Sequence, residues 1–127
     1  MQDYRKLSVW GKAHELTLFT YKITAGYPRE EIYALVQQMR RAASSIPMNI
    51  AEGCGRNSNL DVAHFLNIAI GSANEVDYQY LLSKDLSYIS TQEYETVTLK
   101  IREIRAMLIS LANRIRQQNS ILNTHNS

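Results

Sequence analysis

Cysteine occurs once in this 127-residue chain, at Cys54, so no intrachain disulfide can form and no paired-thiol metal motif exists. A lone thiol suits a reducing compartment, and a cytoplasmic location is expected. Glycine (5) and proline (2) are scarce, which disfavours the many tight turns of an all-β fold. No apolar run approaches the roughly 18 residues of a membrane span. The opening Met1-Gln-Asp-Tyr-Arg-Lys6 leads into no hydrophobic signal core, so export is not expected either. Charge of one sign is also missing: 14 Lys and Arg face 12 Asp and Glu, for a net +2. That balance is too mild to mark a nucleic-acid binder by itself.

What remains is the composition of one folded domain. The apolar fraction, 45%, is too high for disorder, and the length leaves no room for a second core. Hydrophobic spacing predicts four helices. The first runs from Ser8, as N-cap, to about Thr24, with Val9, Ala13, Leu16, Thr20 and Ile23 on one face. Gly26-Tyr27-Pro28 breaks it, and Pro28 is expected to open the second helix. There Ile32, Leu35, Met39, Ala42 and Ile46 repeat at three and four, widened by Val36, Ala43 and Ile50. Gly53-Cys-Gly55 ends that segment, since glycine tolerates a left-handed C-terminus. Ser58 and Asp61 read as a capping pair for a third helix with Val62, Leu66, Ala69, Ala73, Val76 and Tyr80 inward. Ser90-x-x-Glu93 caps a fourth, where Tyr94, Val97, Ile101, Ile104, Leu108, Leu111 and Ile115 form the clearest stripe in the chain. The fold class is therefore all-α, an antiparallel up-down four-helix bundle over residues 1–118, with a polar tail at 119–127 expected to fray.

The second helix has an unusual outer face. Gln38, Arg41, Ser45, Met48 and Glu52 lie opposite its apolar arc, and Asn49 sits at the arc's edge. Arg41 and Glu52 stand roughly 16 Å apart along the axis, so each needs a partner elsewhere. On the third helix Ile68, Tyr78 and Leu82 fall outside the core arc near Glu75, whereas Asp77 falls inside it and needs a donor. Leu99 and Ile109 lie off the stripe of the fourth. Single exposed apolar residues are ordinary, but spread over three helices they suggest a second contact surface, most simply another copy of the chain. Pro47, inside the second helix, should orphan the Ala43 carbonyl and bend the axis, with Ser44 and Ser45 near enough to help. A fixed kink is the preferred reading over a hinge.

No catalytic constellation emerges. His14-Glu15 lacks the second histidine of a zinc-protease helix, because Leu18 occupies that position, and His14, His64 and His125 have no metal-ligand spacing. No cofactor is expected. The fourth helix carries Lys100, Arg102, Arg105, Arg114 and Arg116, opposed over that span only by Glu103. Two readings stay open: a phosphate-contacting surface whose affinity comes from counterion release, or a solvated face with cations placed toward a helix C-terminus.

Several stretches form one ordered pattern over about residues 5–86. They are Leu7-x-Val-Trp-x-Lys-Ala-x-Glu-Leu16, Tyr27-Pro28, Leu35-x-x-Gln38-x-Arg-Arg-Ala-Ala43, Ser45-Ile-Pro-x-Asn-Ile-Ala-Glu-Gly53, Phe65-Leu-x-Ile-Ala-x-Gly-Ser72 and Glu75. In them the chain resembles the bacterial four-helix-bundle proteins of the 23S rRNA intervening sequence protein family. Asp77 stands where that family often has Glu. The resemblance implies a ring-shaped homopentamer of up-down bundles and no catalytic or metal residues. Relatives include the accessory variability determinant of diversity-generating retroelements, similar to a basic pentamer that binds nucleic acid and a reverse transcriptase. The expectation is a non-enzymatic oligomer that meets RNA or DNA, or an RNA-linked partner such as a reverse transcriptase, through repeated basic patches. In it Gln38, Arg41, Ser45, Asn49, Glu52, Glu75 and Asp77 serve as structural and assembly polar groups. The alternative is a protein-interaction scaffold with no nucleic-acid contact.

Overall fold

Four helices dominate the chain: α1 (Ser8–Thr24), α2 (Leu35–Cys54), α3 (Asn59–Asp85) and α4 (Thr91–Asn126), with short 3-10 turns at Tyr4–Lys6 and Arg29–Glu31. The structure, a computed structural model, describes residues 3–126 and their side-chain surroundings through residue 118. The described residues include no strand, and none of their helices is long and apolar enough to cross a membrane.

Side-chain bonds between helices set the topology. Thr17 reaches Ala43 while Arg40 reaches back to Thr24, so α1 and α2 run antiparallel. Ser45 meets Ser72 while Met39 meets Ser83, which turns α3 against α2. Asp77 with Thr98 and Asn74 with Arg105 do the same for α4 against α3. Lys12 and Glu103 pair at 3.0 Å across the closing seam between α1 and α4. That seam is the loosest of the four, and it leaves a groove of about 410 Å³ over Leu16, Phe19, Val97 and Ile104.

The expected stripes form the core. Met39, Ile46, Ile50, Leu66, Ala69, Ala73, Val76, Tyr80 and Leu108 are fully enclosed, and Val97, Ile101 and Ile104 nearly so. Burial of such a continuous apolar seam is the main driving force for assembling the helices. Ser58 caps α3 by accepting the Asp61 N–H at 3.1 Å. At Ser90 both halves of the box are made: Glu93 N–H to Ser90 Oγ at 3.0 Å and Ser90 N–H to Glu93 Oε1 at 2.8 Å.

Four local expectations are corrected. Leu7, not Ser8, is the N-cap of α1, and it offers no side-chain bond. Pro28 does not open α2. With extended backbone at ψ 145 it leads into the Arg29–Glu31 turn, the chain turns again at Ala34, and α2 starts only at Leu35. Ile32, expected in the core, is consequently on the surface at 46% exposure. Gly55 ends α2 in right-handed geometry (φ −88), so no left-handed glycine is involved. Gly53 serves instead as a close-packing position: a Cβ there would lie 3.2 Å from Phe65 Cβ. The left-handed cap belongs to Ser87 (φ 64), after α3. The tail expected at 119–127 lies outside the residues whose side chains are described, although α4 itself is helical as far as Asn126.

Candidate nucleic-acid and assembly surfaces

The neighbours of α4 divide its cations into two groups. Thr98 donates to Asp77 Oδ1 at 2.5 Å and Arg105 Nη1 donates to Asn74 Oδ1 at 3.1 Å, which marks the side of α4 that meets α3. Helical periodicity of about 100° per residue brings Arg102 and Arg116 to that same side. Arg116 also donates to Asn113 Oδ1 at 3.2 Å. Lys100 lines the groove shared with α1, together with Lys12 and Glu103, and Arg114 follows on that side of the helix. The five residues thus lie along two edges of α4. Among the described residues none of them pairs with a carboxylate, whereas Glu103 is taken by Lys12.

The polar residues of α2 also separate. Ser45 bonds Ser72 of α3 at 2.9 Å, and Asn49 Nδ2 donates to Ser45 O at 2.7 Å and to Ser45 Oγ at 2.9 Å. This small network, half-buried, fastens α2 to α3 within the chain. Gln38, Arg41, Met48 and Glu52 remain exposed. Glu52 finds its counter-ion at Arg56, one turn on, rather than on a distant element. Arg56 in turn lies 4.5 Å above the Phe65 ring. Arg41 has no ion pair among the described residues. The register that sets Ser45 opposite Ser72 brings Met48, at 65% exposure, level with Ile68, at 38%. Glu75 accepts from Gln79 Nε2 at 3.3 Å, and Asp77 has the donor its position demanded, in Thr98.

A third surface, which spacing along the chain does not predict, is built where the end of α1 meets the start of α2. Tyr21, Arg29, Tyr33, Gln37, Arg40 and Arg41 surround a cleft of about 610 Å³. Its members come from two helices and the turn between them, so spacing along the chain does not reveal it. The available signal was the adjacent Arg40-Arg41 pair downstream of several tyrosines. No group of metal-ligating side chains occurs among the described residues.

A model of the 23S rRNA-intervening sequence protein family matches residues 5–110. A solved structure of similar fold is a protein of unknown function from the S23 ribosomal protein family of Bacteroides thetaiotaomicron. It shares 30% identity and a TM-score of 0.74, and the match covers 82% of this chain and 97% of that one. Comparison with curated proteins finds no match.

Proposed function

Because the chain belongs to the 23S rRNA-intervening sequence protein family, we propose that it is a non-enzymatic protein that assembles with copies of itself and engages RNA through α4. The observation that carries this reading is that five cations of that helix form no ion pair among the described residues. Lys100, Arg102, Arg105, Arg114 and Arg116 have no carboxylate partner among the described residues, and the one acid between them is neutralised by Lys12. Each cation that meets a phosphate releases a counterion, so affinity should fall steeply with salt. Net charge on one chain is only +2, and repetition around a ring, pentameric by the family resemblance, would raise weak contacts to useful avidity. The Met48–Ile68 apolar spot on the α2–α3 face supplies a self-contact surface.

Electrophoretic shift of structured RNA across a salt series tests the reading. Affinity should drop as salt rises, and Arg102→Glu with Arg116→Glu should weaken binding while light scattering still reports the oligomer. Affinity that is absent or indifferent to salt overturns RNA contact, and a monomer at micromolar concentration overturns assembly. Exposed Leu18, Tyr78 and Leu99 favour a second reading, a protein-interaction scaffold, which predicts partner binding untouched by the same charge reversals.

A further inference from the structure

We infer that the cleft between the end of α1 and the start of α2 holds one unpaired nucleotide of a nucleic-acid strand, with its phosphate on Arg29 and Arg41 and its base against Tyr33. The inference rests on nucleic-acid binding as proposed above, and adds a second and chemically different site.

The cleft's size, about 610 Å³, falls within the roughly 300–1,000 Å³ typical of small-ligand sites. No carboxylate lines it. Glu31, on the same turn as Arg29, is engaged elsewhere by the Tyr88 hydroxyl at 2.9 Å. Glu30 is exposed and outside the lining.

The three arginines are not equivalent. Arg40 is already committed: Nε donates to Thr24 Oγ1 and Nη2 to the Tyr21 carbonyl, each at 3.0 Å, and the guanidinium lies 4.7 Å from the Tyr21 ring centre. It forms a fixed, positively charged wall. Arg29 and Arg41 have no ion pair among the described residues, which leaves two planar guanidiniums suited to phosphate oxygens.

Tyr33 supplies the remaining element. It is 90% exposed, so core packing does not account for an aromatic residue there. An exposed tyrosine lining the same cleft as two uncommitted arginines matches how single strands are held, by phosphate contacts along the backbone and bases stacked on aromatic rings. A duplex hides its base faces and offers Tyr33 nothing. The α1–α2 seam lies across the core from the α3–α4 seam, so this site and the Arg102–Arg116 edge can be tested separately.

The test is fluorescence anisotropy of the full-length protein with end-labelled oligouridylate, oligodeoxythymidylate and a duplex of equal length. Tyr33→Ala should lower single-strand affinity by roughly 5- to 100-fold, in line with the loss of one base–aromatic stack. Tyr33→Phe should restore it, and duplex binding should not change. Arg41→Gln should weaken binding of both single strands and flatten their salt dependence. Equal effects on the RNA and DNA oligomers assign recognition to phosphate and base alone, and a larger effect on RNA adds the ribose hydroxyl; both support the site. Since Tyr33 is so exposed, its variants should melt like the parent. If Tyr33→Ala and Arg41→Gln leave single-strand affinity unchanged while Arg102→Glu with Arg116→Glu removes it, the cleft is not a site and the α4 reading survives. If the parent protein binds neither single strand yet shifts structured RNA, the cleft reading falls and the α4 reading survives; if it binds neither these probes nor structured RNA, both fall.

Discussion

Thr17 Oγ1 lies 3.1 Å from the carbonyl oxygen of Ala43, the acceptor that Pro47 deprives of its helical N–H donor. A proline within a helix removes one hydrogen bond and leaves the carbonyl four residues earlier without a partner. Here a neighbouring helix supplies the replacement. The hydroxyl has a single proton and also sits 2.9 Å from Ala13 O, so it is shared between its own helix and α2. Ser44 and Ser45, the nearer candidates in sequence, are used elsewhere: Ser44 Oγ donates to Arg41 O at 3.2 Å, and Ser45 meets Ser72. The freed carbonyl is thereby tied to α1.

This relationship predicts coupling. Thr17→Val keeps the shape but orphans the Ala43 carbonyl, at a cost of about 1–3 kcal/mol. In a Pro47→Ala background the new Ala N–H can bond Ala43 O within α2, and the same Thr17 change should cost measurably less. Urea melts of the four proteins in this cycle check it. Identical costs in both backgrounds would refute the replacement role.

Gly53 carries a second prediction. Its missing Cβ lets α2 approach α3, since an added carbon would meet Phe65 Cβ at 3.2 Å and Val62 O at 3.5 Å. Both atoms are tied to the α3 backbone and cannot swing aside. Gly53→Val should destabilise by about 1–3 kcal/mol through overpacking. Gly53→Ala should cost less, because alanine regains up to about 1 kcal/mol of helix propensity. Chemical denaturation of both variants gives the order.

The sequence made the helices and their buried faces legible because three-four spacing and capping chemistry are local signals. Val62 to Tyr80 and Val97 to Ile115 could be read without neighbours. The start of α2 could not, because proline suits both a first helical turn and an extended lead-in, and Pro28 takes the second. For the surfaces, periodicity named the cations of α4 but not which edge faced α3, a distinction that Asp77 and Asn74 make in space. The contacts of Thr17 and Tyr21 were illegible, since each acquires its partner from α2.

Ser87 offers a stabilising change. Its N–H bonds Lys84 O and the Tyr88 N–H bonds Ser83 O, at 2.9 and 2.8 Å, which closes α3 in a Schellman cap with Ser87 left-handed (φ 64). Glycine usually fills that position because a Cβ there is strained by roughly 1–2 kcal/mol. Ser87→Gly should therefore raise stability by about 0.5–1 kcal/mol, net of the entropy glycine adds to the unfolded chain. An increase in the urea midpoint with an unchanged slope is the expected result.

Tyr80 should set an alkaline limit on the fold. Thr20 Oγ1 gives its proton to Leu16 O at 2.8 Å, so the 2.6 Å contact with Tyr80 is donated by the phenol. Burial holds the Tyr80 hydroxyl well above its ordinary value of about 10, and burial raises Tyr27 in the same direction. Above about pH 10 the unfolded chain gives up these protons while the folded chain keeps them, so the unfolded state binds fewer protons. Stability is then complete below that pH and lost as pH climbs toward the folded values. Tyr80→Phe removes one such group and one hydrogen bond. It should cost about 0.5–1.5 kcal/mol at neutral pH, yet its stability should decline less steeply above about pH 10, so the gap to the parent narrows. Urea melts between about pH 8 and about pH 11 measure that gap; a constant difference across the range would show that ionisation of Tyr80 does not limit the fold.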